Sequence, residues 1–252
     1  MPASPRILCY HKIDSRHELG VTRLSPRRFA RQVECLAADG YRTLTFDELV
    51  ACVRGDRALS GNEVAITFDD AYRALRDHAF PVLEAHGFAA TCFVITGFAG
   101  RVNRWDVAYG GRRFAHLSWR DMRRWQGRGI AFQSHTVTHP RLTWIGEDAV
   151  ARELRDSHTD LTRALDAEPR AVSYPFGACG ARERSLARDA GYEIGFTLNA
   201  RWTGDPMAVP RLPVYMWSLR RPGTGPFRRL ERLAATVANQ ASVGTALWRR
   251  IL

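Results

Sequence analysis

The chain has almost no lysine: Lys12 is the only one among 37 lysines and arginines. The formal net charge of +11 is therefore carried by arginine. A basic excess of this size raises nucleic acid or an anionic surface as a partner. Near-complete replacement of lysine by arginine reads instead as a genome-wide codon bias, so nucleic acid is not the expected partner. Cysteine is also sparse. Cys9, Cys35, Cys52, Cys92 and Cys179 are odd in number and contain no C-x-x-C pair. That argues against a disulfide framework and a cysteine zinc site; Cys9 and Cys92 lie in apolar runs and read as small core residues. No run approaches the roughly 18 apolar residues of a spanning helix. The N-terminus lacks the apolar core of a secretory signal, which sets the expectation of a cytoplasmic protein. No internal repeat is visible.

What is present is ordinary globular composition, 45% hydrophobic and 25% charged over 252 residues, enough for one large domain. Short apolar runs alternate with longer amphipathic ones, the pattern of βα units around a parallel sheet. Strands are expected at 7–10, 43–46, 64–68, 90–96, 130–134, 171–174 and 192–198, with a last short one at 210–214. Helices are expected at 27–38, 47–54, 119–128, 147–166 and 181–190, and between Asp70 and His86 with Pro81 interrupting. Ser25 and Ser118 stand as N-caps, and Gly40, Gly129 and Gly191 as stops. The fold class is α/β, a distorted (β/α) barrel of seven or eight strands in a single domain over 1–219. Residues 220–252 form a basic amphipathic extension with seven arginines against the single acid Glu231. Such a segment either packs as a last helix or lies on an anionic membrane surface.

Four features fall where strands end, the face on which a parallel barrel gathers its active site. Asp69-Asp70 follows Thr67-Phe68. Two adjacent carboxylates repel unless a cation or proton intervenes; the alternative is a helix N-terminus, where acids complement the macrodipole. His135 and His139, in Ser134-His135-Thr136-Val137-Thr138-His139, have the spacing of one helical turn and can grip one metal ion, or they are two surface histidines. Pro175-Phe176-Gly177 makes a sharp turn that either aims an N–H at a developing oxyanion or simply joins strand to helix. His11 after Tyr10 is a lone histidine, more often structural than catalytic.

In combination, T-F-D-D, then S-H-x-x-x-H, then Y-P-F-G resemble the polysaccharide deacetylases, the carbohydrate esterases that include chitin, peptidoglycan and poly-N-acetylglucosamine deacetylases. The resemblance covers about residues 5–215, and the early Tyr10-His11 resembles the permuted branch. It implies a hydrolase that removes N-acetyl groups from an amino-sugar substrate. Asp70, His135 and His139 would bind Zn²⁺, or another divalent ion such as Co²⁺ or Ni²⁺. Asp69 would be the general base, the N–H of Phe176 would help hold the oxyanion, and His11 would protonate the leaving amine. The Phe176 side chain would be replaceable, since only its N–H is used. An amide has a poor leaving group and needs these roles filled together.

The chain departs from the family pattern in three places. Ala71 replaces the glycine after the aspartates, a change a helix start would tolerate. The family's arginine shortly before the Pro175 turn is missing, with Ala171-Val172-Ser173 standing in its place; Arg211 is the expected substitute. The late L-x-x-H is absent, which puts the acid role on His11. Trp105, Asp106, Tyr109 and Phe114 are either a sugar-contacting rim or a packed flap. Two rival readings stay open: a non-catalytic carbohydrate-binding homologue, and a deformylase or other amidohydrolase.

Overall fold

The computed structural model describes residues 5–16, 22–104, 113–198, 202–216 and 218. Trp105, Asp106, Tyr109 and the 220–252 extension lie outside the described residues. Among the described residues no helix is long and apolar enough to cross a membrane.

The strands are β1 (Ile7–Tyr10), β2 (Lys12–Ile13), β3 (Arg23–Leu24), β4 (Arg42–Thr43), β5 (Glu63–Phe68), β6 (Ala90–Val94), β7 (Ile130–Ser134), β8 (Ala171–Ser173), β9 (Ile194–Thr197), β10 (Val209–Pro210) and β11 (Leu212–Pro213). Eight of them run in the order β10-β9-β8-β7-β6-β5-β1-β11, and β4 adds to β5. Every pairing is parallel. The two ends of that order are neighbours in the chain, separated only by Arg211. The sheet is thereby nearly closed into a (β/α) barrel, as the alternating pattern predicts.

Alternation along the strands sorts side chains between two layers. Leu8, Tyr10, Ile66 and Phe68 pack with Phe29, Val33, Leu75 and Phe80 of the surrounding helices. Ile7, Ala65, Phe93, Ala171, Ile194, Phe196 and Val209 form a second cluster with Leu49, Val50 and Val53. The inward set also carries the polar groups of the site, because the same period of two continues through Cys9, Thr67, Asp69, Ser173 and Arg211 to the strand ends.

The helices are α1 (Pro26–Ala38), α2 (Phe46–Arg54), α3 (Ala74–His78), α4 (Phe80–Ala85), α5 (Trp119–Gln126), α6 (Glu147–Leu165) and α7 (Ala181–Asp189). Ser25 caps α1, with its side chain accepting from Arg28 N. Ser118 and Asp121 form a capping box on α5. Two strand expectations are corrected, and the interruption expected at Pro81 is found. The 43–46 strand stops at Thr43, because Thr45 and Glu48 form a capping box that starts α2 at Phe46. Pro81, which lacks an amide proton, sits in the first turn of α4, and α3 ends before it. The 210–214 strand is two short strands on either side of Arg211. The pair β2–β3, two residues each, was too short to carry a pattern.

Candidate active site

Asp69 and Asp70 follow β5 in an irregular turn, not at a helix N-terminus: α3 begins only at Ala74. Asp70 has φ 69° and Ala71 φ 51°. Ala71 is therefore not at a helix start. It occupies the left-handed region that a glycine adopts without cost. His135 and His139 are likewise not on a helical turn, since Thr136 has φ 67° and His139 φ 59°. Of the six described non-glycine residues with positive φ, Asp70, Ala71, Thr136, His139 and Phe176 belong to these motifs. Backbone strain concentrated this way marks a site whose geometry the surroundings dictate.

Side-chain and backbone bonds hold the strained loops. His135 N donates to Val94 O at 2.8 Å. Glu153 of α6 accepts from Val137 N (2.8 Å), Thr138 N (2.9 Å) and Thr138 Oγ1 (2.6 Å). Thr136 Oγ1 accepts from His139 N at 3.1 Å. Glu153, Thr136 and Ser173 were not singled out from the sequence. Glu153 lies 14 residues beyond His139 on a helix, where a glutamate reads as a solvated face.

The two aspartates have different partners. Arg211 Nη1 and Nη2 reach Asp69 Oδ1 and Oδ2, each at 2.7 Å, a bidentate clamp with both residues buried. Ser173 Oγ donates to Asp69 Oδ2 at 3.2 Å and accepts from Arg211 Nη2 at 2.8 Å. The guanidinium lies 5.2 Å from the Phe93 ring and 5.6 Å from that of Phe196. The guanidinium thus reaches Asp69 from the seam between β10 and β11. Burial alone would raise the Asp69 pKa, but Arg211 and then His135 hold it far below the usual carboxylate range.

Asp70 instead faces imidazoles. Its Oδ1 lies 3.5 Å from His135 Nε2 and 3.7 Å from His139 Nε2. Burial pushes its pKa up, and the His135 and His139 rings pull it down to about 2. Asp70 Oδ1 is buried with no hydrogen-bond partner, an arrangement that costs free energy unless a cation sits opposite. His135 Nδ1 is 2.7 Å from Ser173 O. A carbonyl only accepts, so the proton is on Nδ1 and the Nε2 lone pair is left for a cation. The ligand atoms of Asp70, His135 and His139 all lie within 4.8 Å of one another. These residues fit a divalent ion bound by two nitrogens and an oxygen, with positions left open.

Cys9, His11 and Asp69 form a second group of the same compactness. Its charge argues against a second cation, because Arg211 already occupies both oxygens of Asp69. Burial raises the pKa of the Cys9 thiol well above the usual value. Cys9 Sγ is a weak donor to Asp69 Oδ2 at 3.5 Å. His11 has a buried, unpartnered Nδ1, and burial lowers its pKa against the pull of Asp70 and Asp69.

Phe176 sits in a three-residue turn after β8 with φ 61°. Its ring centroid is 4.9 Å from that of His139. The side chain is therefore not simply replaceable: it packs against an imidazole that faces Asp70. Phe114 is buried with Tyr72 and Ile95, which places this one member of the 97–116 segment in a packed flap.

A sequence model of the family described as polysaccharide deacetylase matches residues 56–195. YxkH of Bacillus subtilis, a protein named for the polysaccharide deacetylases, is 30% identical over 196 residues, which are 78% of this chain and 65% of that protein. Poly-beta-1,6-N-acetyl-D-glucosamine N-deacetylase of Staphylococcus aureus is 22% identical over 187 residues, 71% of this chain and 62% of that protein. The chain thus spans somewhat less than two thirds of the length of these relatives. The Streptococcus pyogenes deacetylase PplD, solved in complex with acetate, superimposes with a TM-score of 0.77 at 24% identity, over 92% of this chain and 99% of that one. That likeness shows a shared fold. With the matched model covering more than half of its length, and with the three motifs meeting at one end of the barrel, the chain belongs to the polysaccharide deacetylase family.

Proposed function

We propose that the chain is a metal-dependent hydrolase that removes N-acetyl groups from an amino-sugar glycan. One observation carries this reading. Two adjacent buried aspartates are separated by partner, Asp69 onto an arginine and Asp70 onto two imidazoles. Deacetylation needs one carboxylate to hold a cation and another left to manage a proton.

Asp70, His135 and His139 would hold the cation, with Zn²⁺ the best fit to two imidazoles and one carboxylate. When bound, the ion acidifies a water and polarises the acetyl carbonyl. Asp69 accepts the proton of the attacking water. Arg211 keeps Asp69 ionised at any working pH, and with Ser173 fixes which way its carboxylate faces. The backbone N–H of Phe176 stabilises the oxyanion. His11 delivers a proton to the departing amine. Its nearest ring nitrogen lies within 4.8 Å of an Asp69 oxygen, so a proton taken by Asp69 has a short route to it. Burial holds the free imidazole neutral, ready to receive that proton. The deacetylase named for poly-beta-1,6-N-acetyl-D-glucosamine among the relatives makes β-1,6-linked N-acetylglucosamine oligomers the first substrate to try.

The test is acetate release from a panel of N-acetylated oligosaccharides by protein loaded with Zn²⁺ or Co²⁺. Asp69→Asn is expected to lower kcat about 10²–10⁴-fold, the usual contribution of a general base, without changing metal content. Asp70→Ala should lose the metal. If protein with one bound equivalent of metal releases no acetate from any member of the panel, the deacetylase reading fails.

A further inference from the structure

The turn that carries Asp70 adopts a backbone conformation L residues avoid, and the support for it comes from outside the motif. Residues 115–117 run beside it. Arg73 N donates to Ala115 O and Leu117 N donates to Ala71 O, both at 2.8 Å. Between these two bonds lies His116, whose Nδ1 is 2.6 Å from the carbonyl oxygen of Asp70 itself. The carbonyl can only accept, so Nδ1 carries the proton. The His116 ring stacks on Tyr72 with centroids 5.0 Å apart and planes 20° apart. Behind this stack is the sole lysine: Lys12 Nζ lies 4.6 Å from the Tyr72 ring and 3.9 Å from the Phe114 ring. Lys12, Tyr72, Phe114 and His116 are each no more than 2% exposed.

We propose that His116 is a positioning residue for the cation site, fixing the Asp70 carboxylate through its backbone carbonyl. The inference rests on the reading of Asp70 as a metal ligand. A carbonyl locked at 2.6 Å restricts rotation of the Asp70 peptide, and with φ held at 69° the Cα–Cβ bond is aimed. The imidazole is in turn oriented by its stack on Tyr72 and by Phe98, whose ring lies 5.8 Å away. Partners of this kind, one shell beyond the ligands, commonly change metal affinity by about 10–100-fold when removed.

Two substitutions separate the N–H from the packing. His116→Phe keeps a ring against Tyr72 and loses the donor. His116→Asn loses the ring and keeps a donor near the Nδ1 position. Co²⁺ titration of metal-free protein, followed by visible absorption, reads affinity directly without turnover. The expected result is about 10–100-fold weaker binding for His116→Phe, and His116→Asn within about threefold of the unsubstituted protein. Equal affinity for His116→Phe and the unsubstituted protein overturns the inference, as does equal weakening in both variants. Asp70→Ala in the same titration separates the two readings. If it binds Co²⁺ as tightly as the unsubstituted protein, the assignment of Asp70 as ligand fails and takes this inference with it. If it loses binding while His116→Phe does not, only the role of His116 falls. Should the variants not fold, ¹⁵N-histidine spectra of the unsubstituted protein decide: a His116 tautomer protonated on Nε2 and bare on Nδ1 overturns the proposal.

Discussion

Asp69 and Asp70 are chemically identical neighbours, and their surroundings make them different. Arg211 takes one and two imidazoles take the other. Arg211→Ala is therefore expected to do more than slow turnover. It leaves a buried carboxylate without its counter-charge, a change that costs about 3–5 kcal/mol when one partner of a buried pair is removed. The pH dependence follows from the direction of the shift. In the intact protein Asp69 is depressed below its unfolded value of about 3.9. It therefore contributes stability above about pH 4, lost as pH falls toward its folded pKa. Without Arg211, burial is the leading influence, the carboxyl favours its proton, and the sign reverses. The loss of stability in Arg211→Ala should thus be larger at pH 7 than at pH 4.5, measured by urea midpoints on metal-free protein. An equal loss at both pH values would mean that the clamp does not set the charge of Asp69. The sequence made the need for an arginine visible, because its usual place held Ala171-Val172-Ser173. That Ser173 would share the clamp was not legible, since a serine on a buried strand signals nothing by its pattern.

Elements with a local cause were readable before the structure. Helix α1 starts at a serine cap and ends before Gly40, and strand β5 reads as a continuous buried run, as parallel strands do. What was not readable was conformation decided by contacts far along the chain. The D-D and H-x-x-x-H segments resemble helix starts in sequence, yet both are left-handed turns imposed by Val94, Glu153 and residues 115–117. The turn after β8 is the clearest case in which one residue is required. Gly177 has φ +64°, and a Cβ there would lie 2.5 Å from Leu198 N. Both the backbone angle and the close approach to Leu198, just past β9, demand glycine. Gly177→Ala should cost about 2 kcal/mol or more in thermal or urea unfolding. Because Phe176 precedes it, turnover should fall further than Co²⁺ affinity does. Intact activity with lowered stability would show that the Phe176 N–H plays no part.

At the scale of the whole molecule, barrel closure and the Asp69 clamp are built from the same five residues, 209–213. Val209-Pro210 pairs with β9, Leu212-Pro213 pairs with β1, and Arg211 between them points its charge at Asp69. The seam is thin. Each of its two ladders has two residue pairs, as does that between β5 and β6, against one between β7 and β8 and five between β6 and β7. Its flanking bonds are Arg211 N to Thr197 O at 3.1 Å and Val214 N to Cys9 O at 2.8 Å. Free energy for local opening falls where ladders are short, so the amides of Arg211 and Val214 should exchange faster than those of β6 and β7. The buried ion pair crosses the seam and ties it to β5. Arg211→Ala should therefore speed exchange of those two amides about tenfold or more beyond its effect on Ala90–Val94 and Ile130–Ser134. Hydrogen exchange read by mass spectrometry or NMR distinguishes the outcomes. Uniform acceleration across all strands would mean the barrel opens only as a unit. Selective acceleration at the seam would mean that the residue that clamps Asp69 also keeps the barrel shut.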